Sequence, residues 1–73
     1  MTATITIANR IYTVEAVTED AGIVAEVSNS RGSFSGYLVR DAADTDNYIL
    51  AGSAFSGINT RAAASKLGRE LTA

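Results

Sequence analysis

Glu15 and Glu26 are the ionisable pair whose placement first suggests chemistry. Each sits in a run of alternating polar and apolar residues, and pairing those runs as antiparallel strands sets one carboxylate directly against the other. Like charges facing each other across two strands cost up to about 1 kcal/mol. Such a pair serves general acid–base catalysis, attracts a basic partner or imitates the charge of nucleic acid; its plainest account is two solvated side chains bending apart. Catalysis needs converging groups, and here Tyr37 is the one neighbouring proton donor in a chain without His. The same lack leaves the serines of Ser53–Gly57 without a base to activate them, and no G-x-G-x-x-G or P-loop pattern supports nucleotide binding. The residues therefore read as those of a non-enzyme.

Asp41, Asp44 and Asp46 form a second acidic group, which raises the question of Ca²⁺. A calcium loop needs acidic ligands at every second position, a central Gly and a closing Glu, and this segment has neither the spacing nor the Gly. With no Cys and no His the ordinary zinc ligands are missing too. Neither a metal nor a cofactor is expected, and the acidic segment reads as a solvated loop. The third charged group is basic: Arg61, Lys66 and Arg69 are half of the six Lys and Arg in the chain. They offer the one route to nucleic acid, by phosphate contact, with Arg31 or Arg40 as further candidates. Cations late in a helix also complement its dipole, which explains them without a ligand.

The 73 residues make one domain, spanning 1–73, with 47% hydrophobic and 19% charged residues, a mixture that folds around a single core. The net charge of −2 disfavours strong non-specific attraction to nucleic acid or anionic membrane. No stretch approaches the roughly 20 apolar residues of a membrane span, and the first residues lack the pattern of a secretory signal, so a cytoplasmic location without membrane contact is expected.

The elements that must position these groups are strands and one helix. Thr2 to Ala8 alternates Thr with Ala or Ile, which predicts a strand whose inward set is Ala3, Ile5 and Ile7. A two-residue loop at Asn9-Arg10 then sets Ile7 opposite Tyr12 and Ile5 opposite Val14 in the next strand, Ile11 to Thr18. Four-residue turns at Glu19–Gly22 and Asn29–Gly32 bring in strands at Ile23 to Ser28 and Ser33 to Arg40. That register pairs Val14 with Val27, Ala16 with Ala25, Val27 with Phe34, Ala25 with Gly36 and Ile23 with Leu38. Each turn length leads to the same buried face. After the acidic loop Asp41 to Asn47 comes a short fifth strand through Tyr48, Ile49 and Leu50, then a loop to Gly57. Asn59 or Thr60 caps a helix running to about Leu71, with Ile58 placed to staple it. Its apolar stripe is Ala63, Ala64, Leu67 and Leu71, and Arg61, Ser65 and Arg69 line the far side. The expected fold is α+β: an antiparallel meander of four to five strands with one C-terminal helix packed on one face.

The outer face then gathers Glu15, Val24, Glu26, Tyr37 and Val39, an apolar centre with an acidic border and no basic residue. Such a face suits a protein partner with a basic site, and two copies of it could form a homodimer. A sheet with one packed helix resembles the integrase-type DNA-binding domains, and the helix Asn59–Leu71 is similar in texture to the last helix of double-stranded-RNA-binding domains. The former resemblance implies groove entry by the sheet face, where Glu15 and Glu26 would repel phosphate. Small, acidic, motif-free domains of this design are similar in type to phage and mobile-element inhibitors, including anti-CRISPR proteins. The residues thus favour a small protein-binding inhibitor or adaptor over a nucleic-acid module working through Arg61, Lys66 and Arg69.

Overall fold

The computed structural model describes residues 2–72. Strands β1 (Thr2–Ile7), β2 (Arg10–Asp20), β3 (Ile23–Asn29), β4 (Phe34–Asp41) and β5 (Asp44–Ala51) are followed by a 3₁₀ turn at Ser53–Phe55 and helix α1 (Arg61–Thr72). The strands lie side by side in chain order, all antiparallel, as a curled half-barrel, and α1 packs against β5 and β1 on the concave side. The α+β meander with its C-terminal helix is the architecture that the alternation predicts.

The register agrees in the middle of the sheet and departs on both sides of it. Val14 pairs with Val27, Ala16 with Ala25 and Glu15 with Glu26, as expected. The first hairpin turns at Ala8-Asn9 instead of Asn9-Arg10, so that Ile5 faces Tyr12 and Ala3 faces Val14. Both turn residues have positive φ, 51° and 66°, which a tight hairpin of type I′ demands. A shift of two residues keeps the same face buried.

Two β-bulges have larger effects. Between Ile23 and Ala25, β3 advances two residues while β4 advances one, and the extra residue turns Val24 inward beside Ala25. Between Phe34 and Gly36 the extra residue lies on β4, and Phe34 leaves the core side for the outer face, 58% exposed. The expected acidic loop is also absent as a loop. Strands β4 and β5 run on to Asp41 and Asp44, a tight turn closed by Asp41 Oδ1 accepting the Ala43 amide at 2.9 Å.

The core is centred on Val14, Val27 and Leu38, with no exposed surface between them. Tyr48 and Leu50 point inward from β5 and Ile49 outward, as alternation requires. Phe55, carried by the 3₁₀ turn, closes one end of the core with its ring edge-on to Tyr12 at 5.1 Å. At the start of α1, Thr60 offers its carbonyl to the Ala64 amide at 2.8 Å and Asn59 Oδ1 accepts the Arg61 amide at 3.3 Å, so both expected cap residues take part.

The helix is held mainly through Tyr48. Ser65, expected on the solvated side of α1, is buried instead, and its Oγ accepts the Tyr48 amide at 3.1 Å. One turn later, Gly68 lies against the Tyr48 ring so closely that an added Cβ would overlap the ring carbons. The ring hydroxyl is within 3.2 Å of Thr72 Oγ1 and accepts from Arg40 Nη1 at 3.0 Å. Arg40 also donates from Nε to Glu19 at 2.8 Å, which holds the Glu19 carboxyl below its ordinary value and raises Arg40.

These contacts set two stability tests. Gly68→Ala gains up to about 1 kcal/mol of helix propensity and meets a buried ring with no room to retreat, so it should lower urea-unfolding stability by about 2 kcal/mol net. Ala8→Gly should raise the melting temperature, because a side chain in the left-handed region costs about 1–2 kcal/mol. The same change at Ala42, outside that region, should not.

Candidate functional site

Strand pairing and the two bulges give the outer face three long cross-strand rows and a short one, Thr6 opposite Ile11, at the β1–β2 end. The central row crosses the whole sheet: Thr2, Glu15, Glu26, Tyr37 and Ala51. On one side of it lie Thr4, Thr13, Ser28 and Phe34; on the other lie Asp20, Ile23, Val39 and Ile49. The face is therefore divided. Its β1–β2 half carries hydroxyls with the exposed Ile11 among them, its centre the two carboxylates, and its β4–β5 half is aromatic and aliphatic.

Of the residues expected here, Glu15, Glu26, Tyr37 and Val39 share the outer face, but the register of β4, its bulge included, moves Tyr37 from its expected place beside Val24 to one opposite Glu26. Val24 is not among them. It is 3% exposed and belongs to the core, because the bulge in β3 reverses the alternation that would have put it outside. Ile23 takes its place on the outer row, facing Val39. Phe34 and Ile49 join the face without having been expected there. The Phe34 ring meets the Tyr37 ring edge-on, centroids 4.9 Å apart, and the two are 58% and 37% exposed. Ile49, opposite Val39, is 38% exposed. An aromatic pair in this geometry is normally buried, so its exposure concentrates unspent hydrophobic surface at one place.

The carboxylates are set without cations. Glu15 and Glu26 are direct cross-strand partners, and among the described residues neither enters an ion pair. Glu15 accepts a hydrogen bond from the Thr2 hydroxyl on β1. Tyr37 is the partner of Glu26 on the other side.

The basic helix residues are arranged differently. Arg61 pairs with Asp41 at 3.2 Å and reaches Asp44 at 4.0 Å, and Arg69 Nη1 makes a long bond of 3.5 Å to the Asp46 carbonyl. Lys66 lies beside Glu70 in a groove between α1 and β1. Two of these three cations are thus turned onto the acidic segment of their own chain. Two carboxylates of that segment are likewise engaged within it: Asp41 accepts from the Ala43 amide, and Asp44 accepts from the Asp46 amide and from Asn47 Nδ2. Among the described residues no helix is long and apolar enough to cross a membrane.

Compared with protein-family models, with curated proteins and with solved structures, the chain matches none.

Proposed function

We propose that this is a small non-catalytic protein-binding domain whose outer sheet face engages a protein with a basic site. The observation that carries this reading is the exposed Phe34–Tyr37 pair placed directly beside the unpaired Glu15–Glu26 row. Aromatic anchors at the centre of an interface supply most of its affinity, and complementary charge steers the partner into register. A basic side chain settling on the carboxylates would also relieve their mutual repulsion, a gain available only in the complex. Val39 and Ile49 extend the apolar half of the contact.

Charge argues against self-association through this face. A two-fold dimer would place two acidic rows against one another with no cation to separate them. It argues equally against a nucleic acid on the sheet. Of the helix cations, Arg61 is paired with Asp41 and Asp44, and Arg69 is turned toward the same acidic segment, which repels phosphate. The biological role that suits a face without accompanying catalytic groups is that of an inhibitor or adaptor, of the type made by phages and mobile elements, working in the cytoplasm.

The test is affinity capture from host lysate treated with nuclease, repeated with variants. A partner of this face should be lost with Tyr37→Ala, Phe34→Ser or Glu26→Lys, each weakening binding roughly 30-fold or more. In the free protein Tyr37→Ala and Phe34→Ser should cost no more than about 1.5 kcal/mol, the scale of one aromatic pair, and Glu26→Lys should stabilise by up to about 1 kcal/mol, so none of the three should unfold it. Arg61→Glu with Arg69→Glu should leave capture intact. Capture that vanishes with nuclease, or with the helix variant alone, would overturn the reading in favour of nucleic acid.

A further inference from the structure

We propose that the mouth of the half-barrel between the first and third hairpin turns is an anion site, taking the phosphate group of a small phosphorylated molecule. In a meander, alternate turns lie at the same end of the sheet. The β1–β2 and β3–β4 turns share one end and bring Arg10 and Arg31 together; the β2–β3 and β4–β5 turns share the other and carry Glu19, Asp20, Asp41 and Asp44. The chain is thereby basic at one end although its net charge is −2.

Arg10 and Arg31 line one open cavity of about 660 Å³, together with Asn9, Asn29, Ser30 and Ser35. Arg10 stands opposite Ile7, whose side chain is buried, so its position belongs to the concave side of the sheet and to this mouth. The buried ring of Tyr12 and the 3₁₀ turn, through Ala54, form its inner wall. Among the described residues the ion pairs involve Arg40 and Arg61, and neither Arg10 nor Arg31. In a chain where acids outnumber bases, two guanidinium groups left unpaired in one cavity form a receptor for an external anion.

The loop that presents Arg31 is held in place. Asn29 Oδ1 accepts both the Arg31 amide at 2.9 Å and the Ser33 amide at 3.0 Å, and the Asn29 carbonyl accepts the Gly32 amide at 2.9 Å. The backbone is then ordered before a ligand arrives, and the ordering cost left is that of the two arginine side chains. The planar fork of each guanidinium matches two oxygens of a phosphate, and the Asn and Ser side chains can donate to the others. A phosphate carries nearly two negative charges, the charge that two arginines balance. The cavity has the size of a small-molecule site, and the acidic surface elsewhere opposes a long polyanion.

The site is separate from the outer face, and its test is independent of any protein partner. Amide chemical shifts would be followed in a titration of the full chain with pyrophosphate, at constant ionic strength. The expected result is a saturable change confined to residues around Asn9, Arg10, Ser30 and Arg31. Arg10→Gln and Arg31→Gln should each weaken it roughly tenfold, by loss of a charge-assisted contact. Lys66→Gln should leave it unchanged, and the spectrum of each variant reports directly that the fold is kept. Shifts that grow linearly without saturating, or that survive in the double arginine variant, would overturn the proposal. So would tighter binding of a short single-stranded oligonucleotide than of pyrophosphate.

Discussion

The contact of Tyr48 with α1 is the interaction on which the rest of the molecule depends. Helix and sheet approach closely there because Gly68 has no side chain, and the ring of Tyr48 fills the space against the helix backbone. The buried polar groups beside it are satisfied: Ser65 bonds the Tyr48 amide, and the ring hydroxyl is shared with Arg40 and Thr72. Tyr48 lies on β5, an edge strand, and α1 also touches β1, the opposite edge. One helix thus bridges the two edges of a curled sheet and closes its core. Had the helix docked elsewhere, Leu50, Val27 and Val14 would lack a cover.

The functional surfaces follow from that commitment. With one helix spent on the concave side, the convex side has no covering element, and its residues must live with water or with a partner. The central row concentrates the conflict, since two like charges are adjacent and an aromatic pair sits exposed beside them. Neither arrangement is favourable for a free surface, and each is improved by the same kind of occupant. Charge is sorted along the strands as well as between faces. The meander puts the acidic turns at one end and Arg10 and Arg31 at the other, so a chain of low net charge has a definite polarity.

Much of this was legible in the alternation of Thr, Val, Ala and Glu. The strand order, the pairing of Val14 with Val27 and the facing of Glu15 and Glu26 follow from a period of two joined by turns of suitable length. What failed to show was local insertion. A bulge adds one residue without any change of composition, and each of the two reversed a side chain: Val24 went in and Phe34 came out. The acidic stretch 41–47 looked like a loop because of its charge, yet those side chains close the turn and hold Arg61. Ser65 and Phe55 were missed because packing against a distant strand gives a polar helix residue and a loop aromatic their buried roles. The apolar stripe Ala63, Ala64, Leu67 and Leu71 was visible, but the seat that Ser65 and Gly68 make for Tyr48 was not.

The central claim is that α1 covers one face and leaves the Phe34–Tyr37 face open in the isolated protein. Relaxation of side-chain protons by a soluble gadolinium chelate tests this most directly. The account predicts strong broadening at Phe34, Tyr37 and Ile49, protection at Val14, Val27 and Leu38, and the same pattern at every protein concentration. Protection of Phe34, Tyr37 and Ile49 would contradict it, meaning that the helix or a second copy of the chain already occupies that face.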